Sequence, residues 1–426
     1  MTQFENSMCS YRKYLLLPLL LITQFTWSQE LTLDSAYAMA RNNYPLIRQR
    51  ELIRQTAALS VENLSKGYLP QLSVSGQGTY QSDVTKVEIP VPGLKVNPLS
   101  KDQYKLVADV SQLLYDGGAI SAQQELQKLN AVSEDQKLEV ELYKLRDRVN
   151  QLYLGILLLD QQISQAALLR SDLSNGLRKV EAQVINGVAL RSALSSIKAD
   201  SLKTEQKITE LAAARKSLVD ILSLFTGREL PQGVKLAEPL AATAGKNITR
   251  PELDLFHTQQ SILRKQRELL KSRNLPKALA FAQGGYGRPG LNMLKNEFDW
   301  FYILGLRLNW TLSGLYTYRN DKKLLEIGQR TIALQEETFL LNTNSQLLQQ
   351  ESEIAKYEQL IASDLEIIEL RKNVKDAALA QLSNGVITSA DYLREVNAED
   401  QARTTMIVHR LQLLNAKINY QTITGK

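Results

Sequence analysis

The side chains able to do chemistry in this chain are few, or badly spaced for it. Two histidines, His257 and His409, stand 152 positions apart, whereas a metal centre needs three or four ligands converging from compact spacings. Both read as packing or surface residues. The single cysteine, Cys9, precedes an apolar run, so the remainder of the chain has neither disulfide nor thiol chemistry. Serines and acids are plentiful on helical faces, yet no strand-turn-helix nucleophile elbow or phosphate-cradling loop occurs. Gly284-Gly285-Tyr286-Gly287 has the composition of strand and loop. The residues ask for no cofactor and no metal, and the reading is a non-enzyme whose work is done by surfaces.

Charge narrows the partners. The formal net charge is +6 over 426 residues, but basic and acidic residues alternate along helices, with no dense Lys/Arg block interleaved with aromatics. Nucleic acid is therefore not expected as a partner. Arg12 and Lys13 precede an apolar run from Tyr14 to Phe25, and Thr26-Trp27-Ser28 offers a small-residue cleavage point before Gln29. About 12 apolar residues are too few to span a bilayer and fit a cleaved export signal over 1–28. Met8 is an alternative start.

The elements that must position any site are written twice. Pro45 and Pro251 lie 206 apart, as do Leu69-Pro70 and Leu275-Pro276, and Gln77-Gly78 and Gln283-Gly284. Gly117 and Gly314 lie 197 apart, while Asn186-Gly187-Val188 recurs as Asn384-Gly385-Val386 at 198. Such self-similarity is read before any local motif. It divides the chain into a first repeat over 29–227, a linker over 228–247 and a second repeat over 248–426. The slip from 206 to 197 assigns nine extra residues in the first half to the loop between its paired strands.

Each half reads as helix, strand, strand, very long helix, turn, long helix. The opening helix is expected from Asp34, placed as N-cap, to Lys66. Leu72 to Ser82 alternates as a strand, Lys105 to Tyr115 less cleanly, with Pro90, Pro92, Gly93 and Pro98 between them. In the second half Tyr302, Leu304, Leu306, Leu308, Trp310 and Leu312 share one face of a strand. An apolar face with aromatics near its ends suits lipid, although a buried strand of a soluble sandwich looks similar. From Leu138 to Val184, apolar residues recur at alternating steps of four and three with only Arg170 out of character, a coiled-coil seam. Its copy keeps Ala333, Leu340, Leu347, Ile354, Ile361 and Ile368 at steps of seven, with a mixed second column. That helix is expected to pack less regularly or to line a wet space.

Lengths select the architecture. A helix from Ala119 to Ile185 spans roughly 100 Å, a return helix from Val188 to Phe225 roughly 57 Å and the opening helix roughly 50 Å. Two short helices laid end to end thus match one long one, and the class is mainly α with a small β part. Four strands cannot close a barrel, and open sheet edges are not tolerated in lipid. A membrane reading therefore demands more than one copy.

Leu31-Thr32-Leu33-Asp34-Ser35-Ala36 with Ala40, Asn42-Asn43 and Pro45, the restart at Arg250-Pro251-Glu252-Leu253, and Val110 to Gly118 (VSQLLYDGG) carry a resemblance to the TolC-like outer-membrane efflux family. It covers essentially the whole chain after the leader. The resemblance implies a homotrimer with one 12-strand barrel in the outer membrane of a Gram-negative bacterium, continued into the periplasm by an α-helical barrel of coiled-coil pairs. It also implies that 228–247 lies at the equator of that conduit, and that a periplasmic adaptor and an inner-membrane pump are partners.

The tip residues follow from the same resemblance. Asn-Gly at Asn186-Gly187 and Asn384-Gly385 supplies positive backbone angles for a sharp helix reversal, which by itself explains those residues. The family adds a docking role for Asn186, Gly187, Val188, Arg191, Asn384, Gly385, Val386 and Thr388. Asp391 falls at the family position of an inward-facing aspartate ring, whose three copies would attract cations and raise one another's pKa. Arg394 stands where a second acidic ring would be expected, and Ala193 is the uncharged first-half counterpart of Asp391. The resulting expectation is the channel of a tripartite exporter, a passive duct opened at the tip by its adaptor. The competing expectation is a poreless coiled-coil scaffold whose sheets pack on each other.

Overall fold

The computed structural model describes residues 30–86, 98–240, 245 and 247–426. The leader with Cys9, the Pro90, Pro92 and Gly93 of the strand loop, and part of 228–247 lie outside the described residues. In chain order the elements are α1 (Leu33–Asn43), α2 (Gln49–Ser65), β1 (Gln71–Tyr80), β2 (Asp102–Tyr115), α3 (Ala119–Ile185), α4 (Arg191–Thr226), α5 (Pro251–Arg273), β3 (Lys277–Arg288), β4 (Asp299–Asn309), α6 (Gly314–Ser383) and α7 (Ser389–Thr424).

The expected opening helix is two helices. Pro45 lacks the N–H that an uninterrupted helix needs, and a short 3-10 segment, Pro45–Arg48, separates α1 from α2. The N-cap is Thr32, whose hydroxyl accepts from Ser35 N at 3.2 Å, so Asp34 is instead an acid in the first turn. The break lets α1 lie against α3 and α4 together, while α2 follows α3 toward the sheet. Asn43, at the end of α1, donates to Leu224 O and Phe225 O, satisfying carbonyls at the end of α4. In the second half, Thr249 N donates to Thr424 O at 2.7 Å, joining the end of α7 to the start of α5. Short helices are thus stacked end to end beside long ones, as the lengths require.

Asp116 explains the strand-to-helix signature. Its carboxylate accepts from Gly118 N at 2.8 Å and Ile120 N at 2.6 Å, occupying donors that α3 would otherwise leave unpaired. The α3 seam is then used where the repeats meet. Val149, Leu152 and Ile156 pack with Leu33, Ala36 and Ala40 of α1, Val219 and Leu222 of α4, and Leu414 and Ile418 of α7. Leu230, Val234 and Leu236 bring residues after α4 into the same core, and Leu31 bridges Leu236 in parallel. Along α6, Thr343, Leu347, Gln350, Ile354, Tyr357, Ile361, Asp364 and Ile368 are buried or half-buried at alternating steps of four and three. The mixed second column is thus a seam with polar members. Asp364 is satisfied by His409 Nδ1 of α7 at 2.7 Å.

The four strands form one antiparallel sheet in the order β1-β2-β3-β4. β4 ends at Asn309, opposite Lys277, the first residue of β3 after Pro276. Trp310 and Leu312, expected in the strand, therefore lie just past it. Among the described residues no strand pairs with them, and the Trp310 indole donates to Asn274 O at 3.1 Å. Register also refines the nine-residue slip. Gln71 pairs Ser111 and Lys277 pairs Asn309, so β2 and β4 are offset by 198. The offset reaches 197 only at Gly117/Gly314, after a β-bulge between Leu113 and Tyr115. Eight of the nine residues lie in the strand loop and the ninth is the bulge.

Candidate functional site

The sheet is one functional surface. Paired residues of an antiparallel ladder share a face, so the register places Leu72, Val74, Leu106, Val110, Ala280, Ala282, Leu304 and Leu306 together. The opposite face is mixed: Ser73, Ser75, Gln77, Lys105, Asp109, Gln283, Arg307 and Asn309 stand there among Val107, Leu279, Phe281, Phe301 and Ile303, with Gln283 donating to Asp109. In the described chain the apolar face is bare: Tyr302, Leu304, Leu306 and Leu308 are each 70–79 % exposed. At one end Tyr286 packs on Phe298 and Trp300 at 5.5 and 5.0 Å, and Phe298 also meets Tyr104. Trp310 and Tyr115 stand toward the other end. This aromatic cluster escaped sequence reading because it draws on β2, β3, β4 and the residue before β4. Among the described residues the outer edges of β1 and β4 have no partner strand.

The tip is the second surface. Gly187 N donates to Val184 O and Val188 N to Gln183 O, the two bonds of a Schellman stop with Gly187 at φ 75°. Gly385 and Val386 repeat it with Leu382 O and Gln381 O, at φ 69°. A side chain at either glycine would be forced into the left-handed region. The two turns lie side by side, since a Cβ on Gly385 would stand 3.9 Å from Val188. Cross-repeat hydrogen bonds hold them: Gln183 Nε2 donates to Leu382 O at 2.6 Å and Lys179 Nζ to Ser383 Oγ at 2.7 Å. Ile185, Val188, Leu190 and Val386 project into solvent beyond these bonds, leaving the end of the rod apolar.

The helices leaving the turns are capped unequally. Thr388 is the N-cap of α7 and Asp391 its reciprocal partner: Asp391 N donates to Thr388 Oγ1 at 3.2 Å, and Thr388 N to the Asp391 carboxylate at 3.2 Å. Arg394 pairs with the same carboxylate. These contacts hold the Asp391 pKa below the ordinary carboxylate value, with the Thr388 hydroxyl first among the causes and Arg394 contributing. Within one chain the shift is thus opposite to the one a ring of three acids would impose. The matching start of α4 has Leu190 as N-cap without a side-chain acceptor and Arg191 exposed in its first turn, where the helix dipole disfavours a cation.

A consequence follows for pH. Because the folded pKa of Asp391 lies below its unfolded value, its contribution is complete above that value and is lost as pH falls through the depressed one. Acidification below about pH 4, the ordinary carboxylate range, is expected to speed amide exchange at residues 389–392. The start of α4 should not respond, and equal responses at both turns would discard the cap as cause.

Behind the turns, all four long helices share a core of Leu173, Val180, Ile197, Ala378, Leu382, Tyr392, Leu393 and Val396. Tyr392 is seated against Gly176, where a Cβ would come within 2.6 Å of its ring. Farther up lies a polar knot. Lys375 Nζ of α6 lies 2.7 Å from Asp172 of α3 and 3.4 Å from Glu399 of α7, which is 2 % exposed and also pairs with Arg403. Burial opposes the Lys375 charge, but Asp172 and Glu399 outweigh it and raise the lysine pKa. Burial raises that of the neighbouring Asp400, which accepts from Gln165 at 2.9 Å. Sequence reasoning missed this knot, whose members look like any solvated charges.

Among solved structures, 92 % of this chain superposes on CusC, described for conformational changes accompanying folding and transmembrane channel formation, with TM-score 0.69, 14 % identity and 92 % of that chain covered. It also superposes on the outer membrane protein VceC of Vibrio cholerae, with TM-score 0.66, 11 % identity and 96 % of that chain covered. A third is the open state of the Neisseria gonorrhoeae MtrE outer membrane channel, with TM-score 0.63, 13 % identity and 89 % of that chain covered. No family model and no curated relative matches the sequence. Identities this low establish a shared fold, which is TolC-like.

Proposed function

We propose that the protein is the outer-membrane channel of a tripartite exporter. The observation that carries this reading is the two-faced sheet: a bare apolar face, an opposite face that holds all the sheet's paired Lys, Arg and Ser side chains except those at its ends, and two edges unpaired among the described residues. An open edge cannot persist in hydrocarbon, and three copies of four strands reach the size of known barrels. The fold shared with outer-membrane channels supports the same reading. Export by a cleaved leader over 1–28 delivers the chain to the periplasm, from which the barrel inserts and the helices continue as a passive conduit. A poreless scaffold would need its sheets packed against each other, whereas these strands make a single sheet. Heat-modifiable migration, extraction only by detergent and conductance in planar bilayers test the proposal. A water-soluble mature protein without a barrel overturns it.

The apolar tip turns, with Asn186, Gly187, Val188, Arg191, Asn384, Gly385, Val386 and Thr388, are the docking surface for the adaptor and inner-membrane pump. Asp391 lines the aperture, its charge offset by Arg394 in each copy. Removing Arg394 is then expected to strengthen divalent-cation block of the pore, while Asp391→Asn, which keeps an acceptor for the cap, weakens it. Conductance traces that stay unchanged in both variants remove these residues from the aperture.

A further inference from the structure

The internal repeat holds a template for the contact between copies. β2 and β3 join the first half to the second inside the chain. If the second half of one copy meets the first half of the next in the same way, each β2–β3 pair predicts a β4–β1 pair. The β2-to-β4 offset is 198 and the β3-to-β1 offset is 206 in reverse. Ser111 opposite Phe281 then becomes Asn309 opposite Ser75 of the partner subunit, and Ala108 opposite Gly284 becomes Leu306 opposite the partner subunit's Gly78. Resting on the proposed trimer, we infer that β4 pairs with β1 of a second copy in this one register.

Three features of the chain agree with it, and none was used to derive it. Face parity is kept, because Leu306 and Gly78 both lie on the apolar face and Asn309 and Ser75 on the opposite one. Volume is matched: within the chain β4 sets Leu304 and Leu306 against Ala282 and Ala280, and across copies Leu306 and Leu308 fall on glycine. The bulge closes the count, for beyond it the offset is 197 and Tyr115 opposite Ala278 becomes Leu312 opposite Leu72 of the partner subunit. The second copy therefore lengthens β4 through Trp310 and Leu312, with which no strand pairs among the described residues of one chain.

The test uses the full chain, whose only cysteine is Cys9. A Ser75→Cys/Asn309→Cys variant, oxidised after outer-membrane assembly, is expected to run as a covalent trimer on non-reducing denaturing electrophoresis, with loss of the monomer band. Ser73→Cys/Asn309→Cys, shifted by two residues or about 7 Å along the strand, is expected to stay monomeric, because a disulfide tolerates a Cβ separation of only about 4.5 Å. Native mass and heat-modifiability of the reduced variants report assembly separately. Cross-linking of the shifted pair, or of neither pair in an assembled trimer, overturns the register and leaves the channel reading standing. A reduced protein and parent chain that both remain monomeric overturn the two together.

Discussion

Leu306→Arg is expected to remove the protein from the outer membrane, whereas Arg307→Leu, one residue along the same strand, should assemble normally. Leu306 is central between Tyr302 and Trp310 on the bare face. An arginine near the middle of a lipid-facing strand costs about 2–4 kcal/mol, and threefold symmetry repeats that cost in each copy. Arg307 already occupies the opposite face, its guanidinium 4.6 Å above the Phe281 ring, so leucine there loses a cation–π contact of about 0.5–1 kcal/mol and nothing that insertion requires. Membrane fractionation and heat-modifiable migration give the result. Equal assembly of the two variants would mean that the sheet does not present these faces to lipid and lumen.

Lys375→Met should loosen the helical end and leave the sheet intact. Removing one member of a buried ion pair costs about 3–5 kcal/mol, because the remaining charge is stranded. Lys375 keeps 13 % exposure and Glu399 retains Arg403, so the lower end, about 3 kcal/mol, is expected here. The readouts are earlier thermal loss of helix, faster proteolysis near the turns and a higher resting conductance. Adding Glu399→Gln should restore much of the loss, since an amide needs no cation. No change in midpoint for the single variant would show that the knot does not hold the helices together. The raised lysine pKa gives stability that is complete below the ordinary value and lost only as pH rises beyond it; between pH 6 and 8 the variant should differ from the parent by a constant amount.

What was legible in the sequence was whatever repeats or has a period. The span Ala119–Ile185 is legible to the residue because Gly118 and Asn186 bound it and a seam from Leu138 to Val184, broken only by Arg170, fills most of it. Both tip turns follow from Asn-Gly. Pro45 is a helix breaker as well as a repeat marker, so the single opening helix expected over Asp34 to Lys66 is two, and Thr32, two residues before Asp34, is the cap. Trp310 and Leu312 keep the strand's alternation, but alternation states which face a residue would take, not whether a partner strand reaches it. The knot was out of reach for another reason. Lys375 and Asp172 are 203 residues apart, and Lys375 and Glu399 lie on opposite arms of a hairpin 24 residues apart; only the folded-back helices make them neighbours. Thr388 and Asp391 each stand out by position in the sequence, yet their mutual capping depends on α7 beginning at Ser389.

The Asp364–His409 contact bears on how α6 and α7 can move. Interlocked heptads look alike every seven residues, so a purely greasy pair of antiparallel rods could ratchet past one another and settle in a false notch. Displaced by one heptad, Asp364 would face Ala402 or Ala416 and sit buried without a hydrogen-bond donor, at a cost of several kcal/mol. The pair works like a key cut into a shaft: the hairpin can twist or splay about its axis while its two arms are barred from sliding.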